Sequence, residues 1–341
     1  MDLLKKLCER NGLSGDEDDV RNYILHYIEG YCNGYVDKLG NIIAHKKGRT
    51  SIKKKILFDA HMDETGYLIK RIDDTGLLFI DSVGVSPSVS IGKTVYIKAS
   101  GGQKKMVPGV IGAIPVHQLE KQQMRTVPKI EELYIDIGAK NAAEARKYVL
   151  EGDSVYFDGQ FGVFGRYCKG KALDDRVGCF NLIRLIQSDL HKDAYFVFSV
   201  QEEVGLRGAV AAAQSVEPDL VIILECTTAA DIYGVPDSDV VCRLGDGVAI
   251  SFADKGTIYS PELFARILHL ADKNKIKYQV KKYVSGGNNA ASWQKACSGS
   301  QVITLSVPVR YLHSRIGVVD KQDIDSMYKL AYLINKEADL L

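Results

Sequence analysis

Six residues able to bind a metal or move a proton stand at the ends of apolar runs in this 341-residue chain. His61 and Asp63 follow KKKILFDA, Glu202 and Glu203 follow AYFVFSVQ, Glu225 closes DLVIILE, and His313 follows VITLSVPVRYL. Charged side chains are almost never fully buried unless paired or metal-bound, so acids beside such runs call for partners. A seventh residue, Asp174 in KALDDR, opens a helical stretch, where capping the helix would by itself account for it. Singly, each histidine reads as a hydrogen-bonded imidazole, and Glu202-Glu203 as the acidic start of a helix. Together, two histidines, an aspartate and three glutamates from five separate elements have the ligand types of a dinuclear zinc or cobalt centre. Two ions roughly 3.5–4 Å apart can bridge a water, lower its pKa and clamp a tetrahedral intermediate.

The elements that must position these residues follow from hydrophobic periodicity. Helices are expected over about 2–12 and 17–29, then a hairpin through VDKLGNIIAHK and a short buried strand ending at His61. Between about 66 and 160, short strands alternate with Gly and Pro turns, and only 141–148 looks helical, the texture of a small β-barrel. From about Arg166, helices and strands alternate; the helix from Asp175 to Leu190 places Cys179, Leu182, Ile183, Ile186 and Leu190 on one face. That alternation implies an α/β sheet with helices on both faces, and ligands of such sheets bind outside the carboxyl ends of the strands. The expected organisation is one α/β domain, residues 1–65 and 162–341, interrupted by a β-barrel at 66–161.

Composition narrows the function classes. A 46% hydrophobic, 26% charged chain of this length buries a large core, and about two domains are expected. Lys plus Arg (44) nearly cancels Asp plus Glu (43), so nothing marks a nucleic-acid or membrane-surface partner. The basic run Lys46-Lys47-Gly48-Arg49 with Lys53-Lys54-Lys55 reads as a solvated connection. No apolar stretch is long enough to span a membrane, and the first residues lack the pattern of a signal peptide. The seven cysteines (8, 32, 168, 179, 226, 242 and 297) are scattered without a C-x-x-C pair, as expected in a reducing cytoplasm.

Taken in order, DAHMDETGYLI (59–69), GKALDDRVGC (170–179), SVQEEVGLRGA (199–209), ILECTTAAD (223–231) and RYLHS (310–314) resemble the tetrahedral, or TET-type, dinuclear-metal aminopeptidases. Their members also carry names such as glutamyl aminopeptidase and cellulase M. The resemblance spans essentially the whole chain and implies a zinc-peptidase-like mixed sheet between helices, with a PDZ-like inserted barrel. It implies that His61, Asp174 and Glu225 bind one ion and Asp174, Glu203 and His313 the other, Asp174 bridging. Glu202 would be the general base and Asp63 the carboxylate orienting His61. It further implies Zn²⁺ or Co²⁺ as the metals, a cis peptide at Asp174-Asp175, peptide substrates, dimerisation through the barrel and assembly into a homododecamer. Glu225 stands where relatives more often have Asp, and SGGNNAA (285–291) replaces a commoner Gly-Gly-Thr-Asp segment near the substrate pocket.

Two other readings compete. A glycosidase could use two of Glu202, Glu203 and Glu225, although adjacent residues on a strand point oppositely and the histidines would have no role. A non-catalytic assembly protein would carry a degenerate centre, yet every matched ligand type is present. Among further residues, His117 in the barrel could reach an active site, or serve the barrel itself. Arg310 and Arg315 flank His313 and could bind a substrate carboxylate or pair with local acids. Cys226 reads as a core residue, with no evident base beside it.

Overall fold

In this computed structural model, which describes residues 1–100, 106–282, 284 and 286–340, the apolar runs become strands buried along almost all of their length. Continuous burial of this kind requires cover on both faces of the sheet. Helices α1 (Asp2–Glu9) and α2 (Asp18–Ile28) come first, then β1 (Asn33–Val36), β2 (Ile42–Lys46) and β3 (Ile56–His61). Six antiparallel strands follow: β4 (Gly66–Ile72), β5 (Leu78–Val83), β6 (Thr94–Lys98), β7 (Met106–Gly112), β8 (Tyr134–Asp136) and β9 (Ser154–Phe157), with one helical turn, α3 (Ala142–Ala145). They close in the order β4-β5-β8-β7-β6-β9. Tyr67, Ile80, Val95, Ile97, Ile135 and Val155 fill the barrel, so the insert owns a core.

The chain then makes β10 (Gly162–Phe164), β11 (Tyr167–Gly170), α4 (Leu173–Gln187), β12 (Ala194–Ser199), α5 (Arg207–Val216), β13 (Leu220–Thr228), β14 (Val248–Ile250) and α6 (Pro261–Lys273). Next come β15 (Tyr278–Val280), α7 (Ala290–Lys295), β16 (Gln301–Val309), β17 (Gly317–Asp320) and α8 (Lys321–Lys336). The main sheet has the order β1-β2-β12-β3-β13-β16-β14-β15. Its four central strands, β12, β3, β13 and β16, run parallel, so their carboxyl ends share one rim. β2 and β14 run against their neighbours, which makes the sheet mixed. The α/β fold with an inserted barrel is therefore the fold of this chain.

Several local expectations are corrected. The first helix stops at Glu9 rather than near 12 because the following backbone is used elsewhere. The Arg10 carbonyl accepts from Lys171 and Arg176, and the Gly12 N–H donates to Glu64. The helix of 141–148 is the single turn α3, capped by the Asn141 side chain. A three-stranded sheet, β10-β11-β17, was not anticipated; β11 and β17 pair across about 150 residues of sequence, which no local pattern reports.

Candidate metal centre

The rim of the four parallel strands brings together all seven singled-out residues. His61 is the last residue of β3 and is 1% exposed. Its Nε2 lies 3.4 Å from Asp174 Oδ1 and 3.3 Å from Glu225 Oε1. Across the site, His313 Nε2 lies 3.5 Å from Asp174 Oδ2 and 3.6 Å from Glu203 Oε2. Asp174 thus faces one histidine with each of its two oxygens. His313 sits past the end of β16, in a turn where Tyr311 and His313 both have positive φ (62° and 55°). That turn swings the imidazole back over the rim.

Asp63 is fully buried behind His61, its Oδ1 3.3 Å from Nδ1. The same carboxylate accepts the Ser14 hydroxyl at 2.6 Å and the backbone N–H groups of Glu202 (3.0 Å) and Glu203 (3.1 Å). One side chain therefore ties the histidine strand to the loop before α2 and to the two-glutamate turn. Burial works against the Asp63 charge, but His61, Ser14 and these amides together hold its pKa below the usual carboxylate range.

Glu202 and Glu203 do not lie on a strand. They occupy the turn between β12 and α5, entered through Gln201 at φ 54°, and both side chains line one cavity of about 450 Å³. The expectation that neighbouring residues point oppositely is corrected: alternation holds only in extended backbone.

Asp174 is not the helix cap. Asp174 and Asp175 have non-helical backbone within α4, and the peptide joining them is cis. Asp175 takes the capping role, its Oδ1 accepting the Gly178 N–H at 2.9 Å, while Asp174 is turned to the two histidines. Sequence reading also missed that Asp175, with His61 and Glu225, makes a second group able to hold an ion beside His61, Asp174 and Glu203. A third such group joins Asp174, Asp175 and Cys226. Its adjacency to Asp174 was the available signal.

The electrostatics of this cluster demand positive charge. Burial, reinforced by neighbouring carboxylates, pushes Glu203 up to about 8, Glu225 up to about 7 and Glu202 well above its ordinary value. His313 is raised to about 9, chiefly by Asp174, and His61 is raised by Glu225, Asp174 and Asp63 against its own burial. The buried oxygens Asp174 Oδ1 and Glu225 Oε2 accept no hydrogen bond among the described residues. Buried anions persist when paired or metal-bound, so donor set, burial and orphaned oxygens all fit divalent cations.

The remaining candidates lie elsewhere. Arg310 pairs bidentately with Asp231 (2.7 and 2.8 Å), and Arg315 binds Asp158, so both arginines serve local acids. His117 lies in the exposed 3₁₀ turn Val116–Gln118 of the barrel. Cys226 is buried, its thiol against the Leu173 carbonyl, and burial pushes its pKa well up, as befits an inert thiol.

The profile of the M42 glutamyl aminopeptidase family matches residues 40–330. The chain belongs to that family. A putative aminopeptidase of Acetivibrio thermocellus is 38% identical over 334 residues, covering 96% of each chain. A TET aminopeptidase from a marine sediment archaeon of the Thaumarchaeota superposes with a TM-score of 0.94 at 30% identity, over 100% of this chain and 96% of its own. The TET1 peptidase of Pyrococcus horikoshii, described as assembling into a tetrahedron or a large octahedral shell, superposes at 0.85 with 33% identity, over 98% and 99%. This M42 chain is thus an aminopeptidase by family. Among the described residues, no helix is long and apolar enough to cross a membrane.

Proposed function

We propose that this M42 protein is a dinuclear metal-dependent aminopeptidase that removes N-terminal residues from short peptides. The observation that carries the reading is Asp174, which presents one oxygen to His61 and the other to His313 across a single cavity. His61, Asp174 and Glu225 would hold one ion and Asp174, Glu203 and His313 the other, with Zn²⁺ or Co²⁺ suited to this imidazole and carboxylate set. When bound, such ions acidify water and polarise the scissile carbonyl.

The chain's own residues supply the rest. Glu202 Oε faces the cavity without a place in either ligand set, so it is the group to accept a proton from the attacking water and pass it to the leaving amine. Its buried position, which raises its proton affinity, suits that exchange. Asp63 holds His61 in one orientation and fixes the turn that carries Glu202 and Glu203. Acidic groups around the cavity can receive the substrate's free ammonium, which would confine cleavage to the first peptide bond.

The barrel supports self-association. Val110, Ile114, Val116, Met124 and Val127 are exposed on the insert, and Ile114, Val116 and Met124 line one groove, an apolar surface suited to a second copy. Dimerisation there and assembly into a dodecamer in the cytoplasm complete the proposal.

Chelation followed by gel filtration should abolish hydrolysis of aminoacyl-p-nitroanilides, and Zn²⁺ or Co²⁺ should restore it. Glu202→Gln should lower kcat at least a hundredfold while two metals per chain remain by elemental analysis. Turnover above a tenth of wild type in that variant would refute the general-base role.

A further inference from the structure

The turn that carries Glu202 and Glu203 keeps an unfavourable backbone. Gln201 and Leu206 both have positive φ (54° and 58°), although neither is glycine. L residues persist in that region only where surrounding contacts over-determine them. Within the turn, the Glu202 carbonyl accepts from the N–H groups of Gly205 and Leu206, and the Val200 carbonyl from that of Gly208. Asp63 takes the N–H groups of Glu202 and Glu203. The Val200 N–H, where the turn begins, is left to be met from outside it.

A side chain from a distant hairpin meets it. Asn41, the residue before β2, is completely buried. Its Oδ1 accepts the Val200 N–H at 2.9 Å, and its Nδ2 donates to the Gly208 carbonyl at 2.9 Å, so one amide bridges the two ends of the turn. A side chain on Gly208 would collide with the Asn41 amide oxygen and the Val200 carbonyl; only glycine lets the segments approach this closely. Asp37 dictates which way the amide faces. Its Oδ2 accepts the second Nδ2 hydrogen at 2.7 Å, and its Oδ1 gathers the N–H groups of Leu39, Gly40 and Asn41 at 2.9, 2.8 and 3.0 Å. An ionised carboxylate only accepts, so it takes the NH₂ edge of the amide and leaves the oxygen for Val200. The hairpin itself needs the Asp37 turn, but not a buried amide aimed at β12 and α5.

We propose that Asn41 is a positioning residue of the active site. By tying Val200 to Gly208 it holds the turn in the conformation that sends both Glu202 and Glu203 into the cavity, and Asp37 acts through it. The inference rests on the aminopeptidase reading above, with Glu202 as the general base. Asn41 does not line the cavity, so its loss alters where Glu202 points and leaves the walls that receive substrate in place. The expected signature is a fall in kcat at nearly constant KM, since misplacing a catalytic group by about 1 Å can cost about a hundredfold.

The test uses aminoacyl-p-nitroanilides on the Zn²⁺- or Co²⁺-loaded full chain, with two metals per chain verified by elemental analysis. Asn41→Ala should lower kcat at least roughly tenfold with KM within about threefold of wild type. Asp37→Asn, a nearly isosteric change that keeps Asn41 in place and serves should Asn41→Ala fold poorly, should lower kcat by a smaller factor. The double variant should be no slower than Asn41→Ala, because both residues act through one amide. Independently of turnover, backbone hydrogen exchange of Asn41→Ala should accelerate in peptides covering residues 200–208 and stay unchanged in the barrel. Wild-type kcat in both single variants, a loss confined to KM, multiplied losses in the double variant, or exchange that rises throughout the chain overturns the role of Asn41 and leaves the aminopeptidase reading intact. A wild-type chain that cleaves no aminoacyl-p-nitroanilide overturns both.

Discussion

Ser14 contributes no candidate metal ligand, yet it completes the most connected side chain of the site. Its hydroxyl donates at 2.6 Å to Asp63 Oδ2, while the other Asp63 oxygen faces His61. A hydrogen bond to a charged group contributes about 1.5–3 kcal/mol, and outer partners of metal ligands typically affect metal affinity about 10–100-fold. Ser14→Ala should therefore weaken binding of one of the two ions about tenfold, read by competitive titration with a chromophoric chelator. Ser14→Thr, which keeps the hydroxyl, should recover most of that affinity. The longer Glu225 also makes sense at this scale. Its Oε1 reaches His61 from β13, and its second oxygen remains open to a cation.

Among the elements, α4 carries the greatest structural burden. Its start presents Asp174 to the site, and two residues further Arg176 is buried completely. Arg176 donates to the carbonyls of Leu7, Arg10 and Met62, and with Lys171 it pairs with Glu64. This triad links α1, the end of β3, the segment leading to β4 and the entry to α4. Removing one partner of a buried ion pair leaves uncompensated charge and costs about 3–5 kcal/mol. Glu64→Gln, which strands two buried cations, should lower stability by about that amount in urea unfolding, and metal binding should weaken with it as Asp174 loses its support. The barrel is tied down separately: Lys98 and the Tyr156 hydroxyl both bind Asp16, in the loop before α2. A fixed insert can place its outer apolar patch reproducibly against another copy.

The whole molecule exposes that patch as a monomer would not be expected to. Val116 and Val127 are 69% and 60% exposed, and Val116 lines a groove of about 330 Å³ with Ile91, Ile114, Leu119 and Met124. A surface of near-zero net charge adds little repulsion between copies. Val116→Lys combined with Met124→Lys should shift the sedimenting species from a large assembly to monomers while the melting temperature of the monomer fold changes by only a few degrees. An unchanged sedimentation profile would remove the patch from the interface.

How much of this was legible beforehand differs by feature. The α/β fold, the inserted barrel and the seven clustered residues could be read in advance, because strand burial writes continuous apolar runs and ligands fall at their carboxyl ends. The motifs that carry these residues are short and local, so each survives in a linear reading. What only the tertiary structure decided depends on backbone turns and on contacts far apart in sequence. The placement of Glu202 and Glu203 on one cavity follows from the positive φ of Gln201, and the exchange of capping for site duty between Asp174 and Asp175 follows from a local backbone break. Ser14 meets Asp63 across 49 residues, and β11 meets β17 at the far end of the chain. Periodicity reports which face of an element is buried. It cannot report which distant element buries it, because that choice is made by packing the whole chain at once.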